Sequence, residues 1–238
     1  MHDYGSHIAR HYAAFRPPLH ELILQEALGD LAPFELGIDI GCGTGRSTQA
    51  LKAHCQQVIG IDPARDMLKQ ASPMSGIRYQ WFDGQSLEGL PQADILTFAG
   101  AWMYARSQQM VDQLGYLAHN LVLLYDFEIL LEPMLSRLGI EMDRVEPAGY
   151  DHAANFSSYQ SGQFVHLDQQ VVQMKVPLSG SQLAHLILAD QGRYQVLSAR
   201  AKSEDVFPWL MGVISTALKE EITVPANCYW TLYQSRKS

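Results

Sequence analysis

Cysteine is scarce and scattered. Cys42, Cys55 and Cys228 are odd in number and form no CxxC pair, which argues against a disulfide framework or a zinc site and for a reducing compartment. Basic residues are also few: Lys and Arg total 17 against 25 Asp and Glu, a net charge of −8. Proteins that grip phosphates carry a basic face, so nucleic acid is a poor partner, and the dense pair Arg236-Lys237 reads as a solvated end. No apolar run approaches the length of a membrane span. The N-terminal MHDYGSHIARHYAAF lacks the apolar core of a signal peptide, so the expected location is the cytoplasm. Low-complexity linkers and internal repeats are missing too, which points to one domain over residues 1–238.

What is present is a sizeable core, with 47% hydrophobic and 18% charged residues. Strand-like apolar runs alternate with helical patterns through the first half, the order of a parallel sheet covered on both faces. LHELILQEAL reads as a helix, GIDI as a strand and RSTQALKAHC as a helix. Next come the strand QVIGID, the helix ARDMLKQA, and the strands IRYQWFD and ADILTFAGA. QQMVDQLGYLAHN is helical, and LVLLYDFEIL is apolar enough to be a central strand. Beyond it, EPMLSRLGI and the polar loop EPAGYDHAANFSSYQSG lead to the strand QQVVQMKVPLS. Two helical segments and the aromatic, β-branched strand NCYWTLYQ close the chain.

The chemistry concentrates in LGIDIGCGTGRSTQAL. Three glycines, Gly41, Gly43 and Gly45, follow Asp39 between a strand and a helix. Glycines so close together imply that a ligand approaches the main chain. A dinucleotide fingerprint would put its third glycine where this chain has Arg46. Asp62, about twenty residues on at the end of VIGID, stands where a carboxylate accepts from a ribose diol.

Four segments in this order, YAAFRPPLH, GIDIGCGTG, VIGIDPARDML and WFDGQSLEGLPQADILTFAGAWMY, resemble the class I S-adenosylmethionine-dependent methyltransferases. The similarity is to the small-molecule methyltransferase type 11 and type 25 group, and it covers Tyr12 to about Ala105 well. It implies a doubly wound α/β fold with a mainly parallel seven-stranded sheet whose last strand is antiparallel. It implies S-adenosylmethionine as cofactor and methyl transfer to a small organic molecule. By the resemblance, Gly41, Gly43 and Gly45 pass under the methionine portion, Asp62 binds the ribose hydroxyls, and Cys42, Pro63 and Met67 are further cofactor-binding candidates. Phe82, Asp83 and Gly84 lie at the adenine, and Ala99 and Gly100 under the sulfonium. Tyr12 and Arg16 would close over the cofactor from an N-terminal lid, 1–16.

Two departures stand out. LAHNL replaces the Lys-Pro-Gly-Gly turn usual before the fifth strand, and Trp102-Met103-Tyr104 follows the fourth strand where relatives often carry a histidine. A general base cannot be carried over to that place. Tyr104 and His152 are the catalytic candidates, His152 from the loop of a substrate-side insertion at about 131–165. Trp102, Tyr150 and Phe156 are candidates for lining an acceptor cavity, with core packing the competing reading. Asp39 could contact cofactor or merely cap a nearby amide. Cys42 reads as a small loop residue rather than a nucleophile. No metal is expected, and a monomer or homodimer is. The alternatives are a nicotinamide-dependent oxidoreductase and a non-catalytic S-adenosylmethionine-binding protein.

Overall fold

The computed structural model describes residues 7–8, 10–11, 14–141, 149–203, 205–218 and 221–237. Tyr12, expected to close over the cofactor, lies outside them. Seven strands form one sheet: β1 Phe34–Ile40, β2 Cys55–Asp62, β3 Ile77–Trp81, β4 Ala93–Ala99, β5 Ala118–Ile129, β6 Phe164–Leu178 and β7 Ile222–Ser235. Their order is β3-β2-β1-β4-β5-β7-β6. The pairs β1–β2, β1–β4, β2–β3 and β4–β5 are parallel. At the other edge, Arg236 N–H donates to Gln163 O and Trp230 Nε1 to Asp168 Oδ2. These contacts climb β7 while descending β6, so the two strands run antiparallel. The sheet is therefore seven-stranded and mainly parallel with an antiparallel closing strand, as the sequence leads one to expect.

The chain divides into two compact units: one of Pro18–Glu128, Ala148–Val172 and Cys228–Ser238, the other of Met1–Pro17, Ile129–Pro147 and Gln173–Asn227. In the first, β1, β2, β4 and β5 present near-continuous buried runs, the signature of parallel strands covered on both faces. Ile38, Ile61, Leu96, Phe98 and Val122 share one core cluster. Strand order reverses between β1's two neighbours, which puts a crevice beyond the carboxyl ends of β1 and β4.

Among the boundaries that differ from the sequence pattern, two move because strand pairing wins over helical continuation. The helix from Arg46 ends at Leu51, since Cys55 must open β2 opposite Phe34. The helix Gln108–Leu117 stops because Ala118 pairs with Ala93.

In the second unit, helices Gly180–Leu188, Gln191–Ala201 and Val206–Ala217 bury Leu183, Ile187, Leu197, Leu210 and Ile214. The middle helix is invisible to periodicity because only Tyr194 and Leu197 are buried along it; its signal is Asp190, whose side chain caps Arg193 N. His11 of the expected lid is buried here. Its Nδ1 lies 2.9 Å from His185 Nδ1, and its ring stacks on Phe207. Burial, then the neighbouring His185, lowers its pKa to about 4. Among the described residues, no helix is long and apolar enough to cross a membrane.

Candidate active site

The site is built from the end of β1. Asp39 is fully buried and accepts hydrogen bonds from Ser47 Oγ at 2.6 Å, Thr48 Oγ1 at 2.7 Å and Thr97 Oγ1 at 3.0 Å. Burial pushes its carboxyl up, opposed by the three hydroxyls. These bonds fasten β1 to the following helix and to β4, and they leave Asp39 no surface for a ligand. Of the two roles open to it, the structure places it in the structural one.

The glycine loop sits on this latch. Gly41 has φ of 76° and faces Ala101 so closely that a Cβ would collide with that side chain. Gly43, with φ of 55°, is different: a Cβ there would meet only Met67 Cε, at 3.4 Å. A face this bare is a cradle that a ligand can enter. Gly45 packs under Tyr79. Gly41 N and Cys42 N both donate to Ile61 O, and Gly43 N donates to Asp62 Oδ2 at 2.7 Å. Cys42 is buried, and burial with Asp39 and Asp62 nearby pushes its thiol far up.

Asp62 also accepts from Ala64 N at 2.7 Å through Oδ1. Each oxygen thus holds one backbone N–H and keeps a lone pair for a ribose hydroxyl. Across the turn, Pro63 lies 3.6 Å from where a Cβ of Gly84 would sit. Asp83 is exposed, and its Oδ1 takes Gln85 N and Ser86 N; these bonds lower its pKa. Phe82 is buried in the core. Beside it stands Trp81, unmarked in the sequence: its Nε1 donates to Pro63 O, and the Arg65 guanidinium lies 4.0 Å over its ring. Arg16 is half-buried in the other unit.

At the end of β4, Ala99 pairs with Tyr125, and Gly100 N donates to Tyr125 O. A small cavity opens here, its wall including Gly100, Trp102, Asp126, Tyr150, His152 and Tyr229. Asp126 organises it. Its Oδ2 lies 2.8 Å from His152 Nδ1 and accepts from Tyr150 OH at 2.9 Å, while Oδ1 accepts from Phe127 N. Burial, then the Asp126 charge, keeps Tyr150 protonated by pushing its phenol far up. Tyr229 stacks on His152, with centroids 5.4 Å apart. A carboxylate only accepts, so the His152 Nδ1 that faces Asp126 carries a hydrogen.

The structure therefore brings together His152, Tyr150, Trp102 and Gly100, and it adds Asp126. Trp102 is largely buried, bonded through Nε1 to Asn155 O, and only borders the cavity. Phe156 is 1% exposed and stacked on Tyr233, behind the wall rather than in it. Tyr104 is 82% exposed, its ring 6.0 Å from that of Tyr150, and it makes no contact with the imidazole pair. Among the described residues, no cluster of three or more His, Cys, Asp or Glu could hold a metal ion.

Residues 38–120 match the family model described as a methyltransferase domain. The chain is a methyltransferase that uses S-adenosylmethionine. Among solved structures, one described as a type II methyltransferase from Anaeromyxobacter dehalogenans is 16% identical, with 94% of this chain and 98% of that one covered and a TM-score of 0.63. Coclaurine N-methyltransferase bound to N-methylheliamine and S-adenosylhomocysteine is 11% identical, covering 91% and 72%, with a TM-score of 0.53. A protein that converts a disulfide bond into a thioacetal group during echinomycin biosynthesis is 13% identical, covering 94% and 84%, with a TM-score of 0.51. At these identities the likeness is one of fold. No curated protein matches the chain.

Proposed function

We propose that the protein transfers the methyl group of S-adenosylmethionine to a small organic acceptor, with His152 as general base. The observation that carries this reading is the Asp126–His152 pair, 2.8 Å apart, in the wall of a cavity that begins at Gly100. The residues fit the cofactor as well, since the bare face of Gly43 and the carboxylate of Asp62 lie together.

S-adenosylmethionine, when bound, supplies a methyl group activated by a sulfonium. The chain's own residues do the rest. Gly41, Gly43 and Gly45 pass beneath the amino-acid end, Asp62 accepts from the ribose hydroxyls, and Asp83 with Gly84 borders the adenine. Pro63 and Met67 flank this strip. Asp126 orients the imidazole of His152 so that Nε2 faces the acceptor and takes its proton. Tyr150 and Tyr229 hold the imidazole. Alignment and exclusion of water lower the barrier further, by several kcal/mol. The cysteines are three in number, scattered and buried, which supports a reducing, intracellular location.

Calorimetric titration with S-adenosylmethionine, S-adenosylhomocysteine and NAD tests the cofactor, and mass spectrometry after incubation with labelled S-adenosylmethionine and fractionated small metabolites tests the acceptor. Tight S-adenosylhomocysteine binding and a labelled small product are expected. Label delivered to RNA or lipid would refute the small-molecule reading.

A further inference from the structure

The described residues around the acceptor cavity carry an uneven set of charges. Asp126 and Asp151 supply two carboxylates, and Tyr150 and Tyr229 supply ring faces, but no lysine or arginine is among them. An acceptor that is an anion, or becomes one before it attacks, would meet like charges from these side chains, with no lysine or arginine among them to offset the two carboxylates. An ammonium ion meets carboxylates and electron-rich rings, both of which attract it.

Resting on the methyl-transfer reading above, we infer that the acceptor is an amine and that the reaction is N-methylation. The balance of charge supports it. A primary ammonium, R–NH3+, gives one proton to His152 Nε2 and becomes a neutral amine. Its lone pair forms the N–C bond as the S–CH3 bond breaks, and the sulfur keeps the electron pair of that bond. The positive charge passes from sulfur to nitrogen, leaving R–NH2–CH3+ within the same wall. One cation thus occupies the site before and after displacement, and the wall is complementary to both. Attack by a phenolate or carboxylate would instead extinguish the cation against two carboxylates. The imidazolium of His152 then returns its proton to solvent, for which its side chain is 26% exposed.

The test compares three ligands of one size: benzylamine, para-cresol and phenylacetate. Each is titrated calorimetrically into the protein at neutral pH, with and without saturating S-adenosylhomocysteine. Benzylamine should bind at least about fivefold more tightly than para-cresol, and phenylacetate least. Asp151→Asn, at an exposed position, should weaken benzylamine severalfold and leave para-cresol and S-adenosylhomocysteine as they were. Equal or tighter binding of para-cresol or phenylacetate overturns the inference, as does undetectable benzylamine binding or indifference to Asp151→Asn. Failure of S-adenosylhomocysteine to bind would instead undo the methyl-transfer reading, while the ranking of the three ligands is still read on the protein alone.

Discussion

His152 Nδ1 lies 2.8 Å from Asp126 Oδ2, and Tyr150 donates to the same oxygen. The carboxylate engages Nδ1, which leaves Nε2 for the acceptor in the proposed reaction. Asp126→Asn keeps the shape but can offer the imidazole an amide hydrogen, turning Nε2 into the protonated nitrogen. Turnover should fall at least about a hundredfold, with KM for the acceptor and S-adenosylmethionine affinity little changed. Glu at the same position should restore part of the rate. A loss confined to KM or to melting temperature would assign Asp126 to structure alone.

Asp62 accepts from Gly43 N and Ala64 N, and a bound ribose would add charged hydrogen bonds of about 1.5–3 kcal/mol each. Asp62→Ala should weaken S-adenosylhomocysteine binding by at least about tenfold. Titration of the folded variant, checked by circular dichroism, decides it. Wild-type affinity would remove Asp62 from the ribose site.

Two glycines of the loop should fail in opposite ways. A Cβ on Gly41 overlaps Ala101, whereas one on Gly43 meets only Met67 Cε at 3.4 Å. Gly41→Ala is expected to destabilise the protein by roughly 2–3 kcal/mol through overlap and backbone strain. Gly43→Ala should cost about 1 kcal/mol of stability yet abolish cofactor binding, because its methyl fills the cradle. Denaturant melts and S-adenosylhomocysteine titration of both variants separate the effects; an unimpaired Gly43→Ala would contradict the placement of the cofactor.

His20 bonds to Tyr125 OH and packs edge-on against Phe127. Burial, then Arg46, lowers its pKa from 6.5 to about 4. Between those values the unfolded chain binds the proton and the folded one does not. Stability contributed by neutral His20 is therefore intact above about pH 6.5 and is lost as the pH falls toward 4. His11, lowered in the same way, acts in the same window. Urea melts across it should show falling stability, with a shallower fall in His20→Gln. An unchanged slope would mean that His20 charges freely in the fold.

Much of the cofactor side was legible because its signals are local. Glycines at positive φ, Asp62 closing a strand and Asp83 before Gly84 leave marks within a few residues of each other. The acceptor side is assembled from distant segments. Asp126 hides in LVLLYDFEIL, where neither it nor Glu128 carries a label until Tyr150 and His152 arrive from a loop more than twenty residues on. Trp102 and Phe156 look alike in sequence, and only packing separates a ring at the cavity edge from one stacked on Tyr233. Asp39 could be read either way until three hydroxyls from two elements converged on it. The helix Gln191–Ala201 escaped because two buried positions do not make a period.

The glycine loop is held from below by protein groups alone: Ile61 O takes two of its amides and Asp62 a third, and Asp39 pins the helix that follows. Its curvature is thus a property of the resting fold, with little left for a ligand to organise. Cofactor capture then becomes a one-step encounter, in which the observed association rate climbs linearly with concentration and shows no plateau from a preceding rearrangement of the loop.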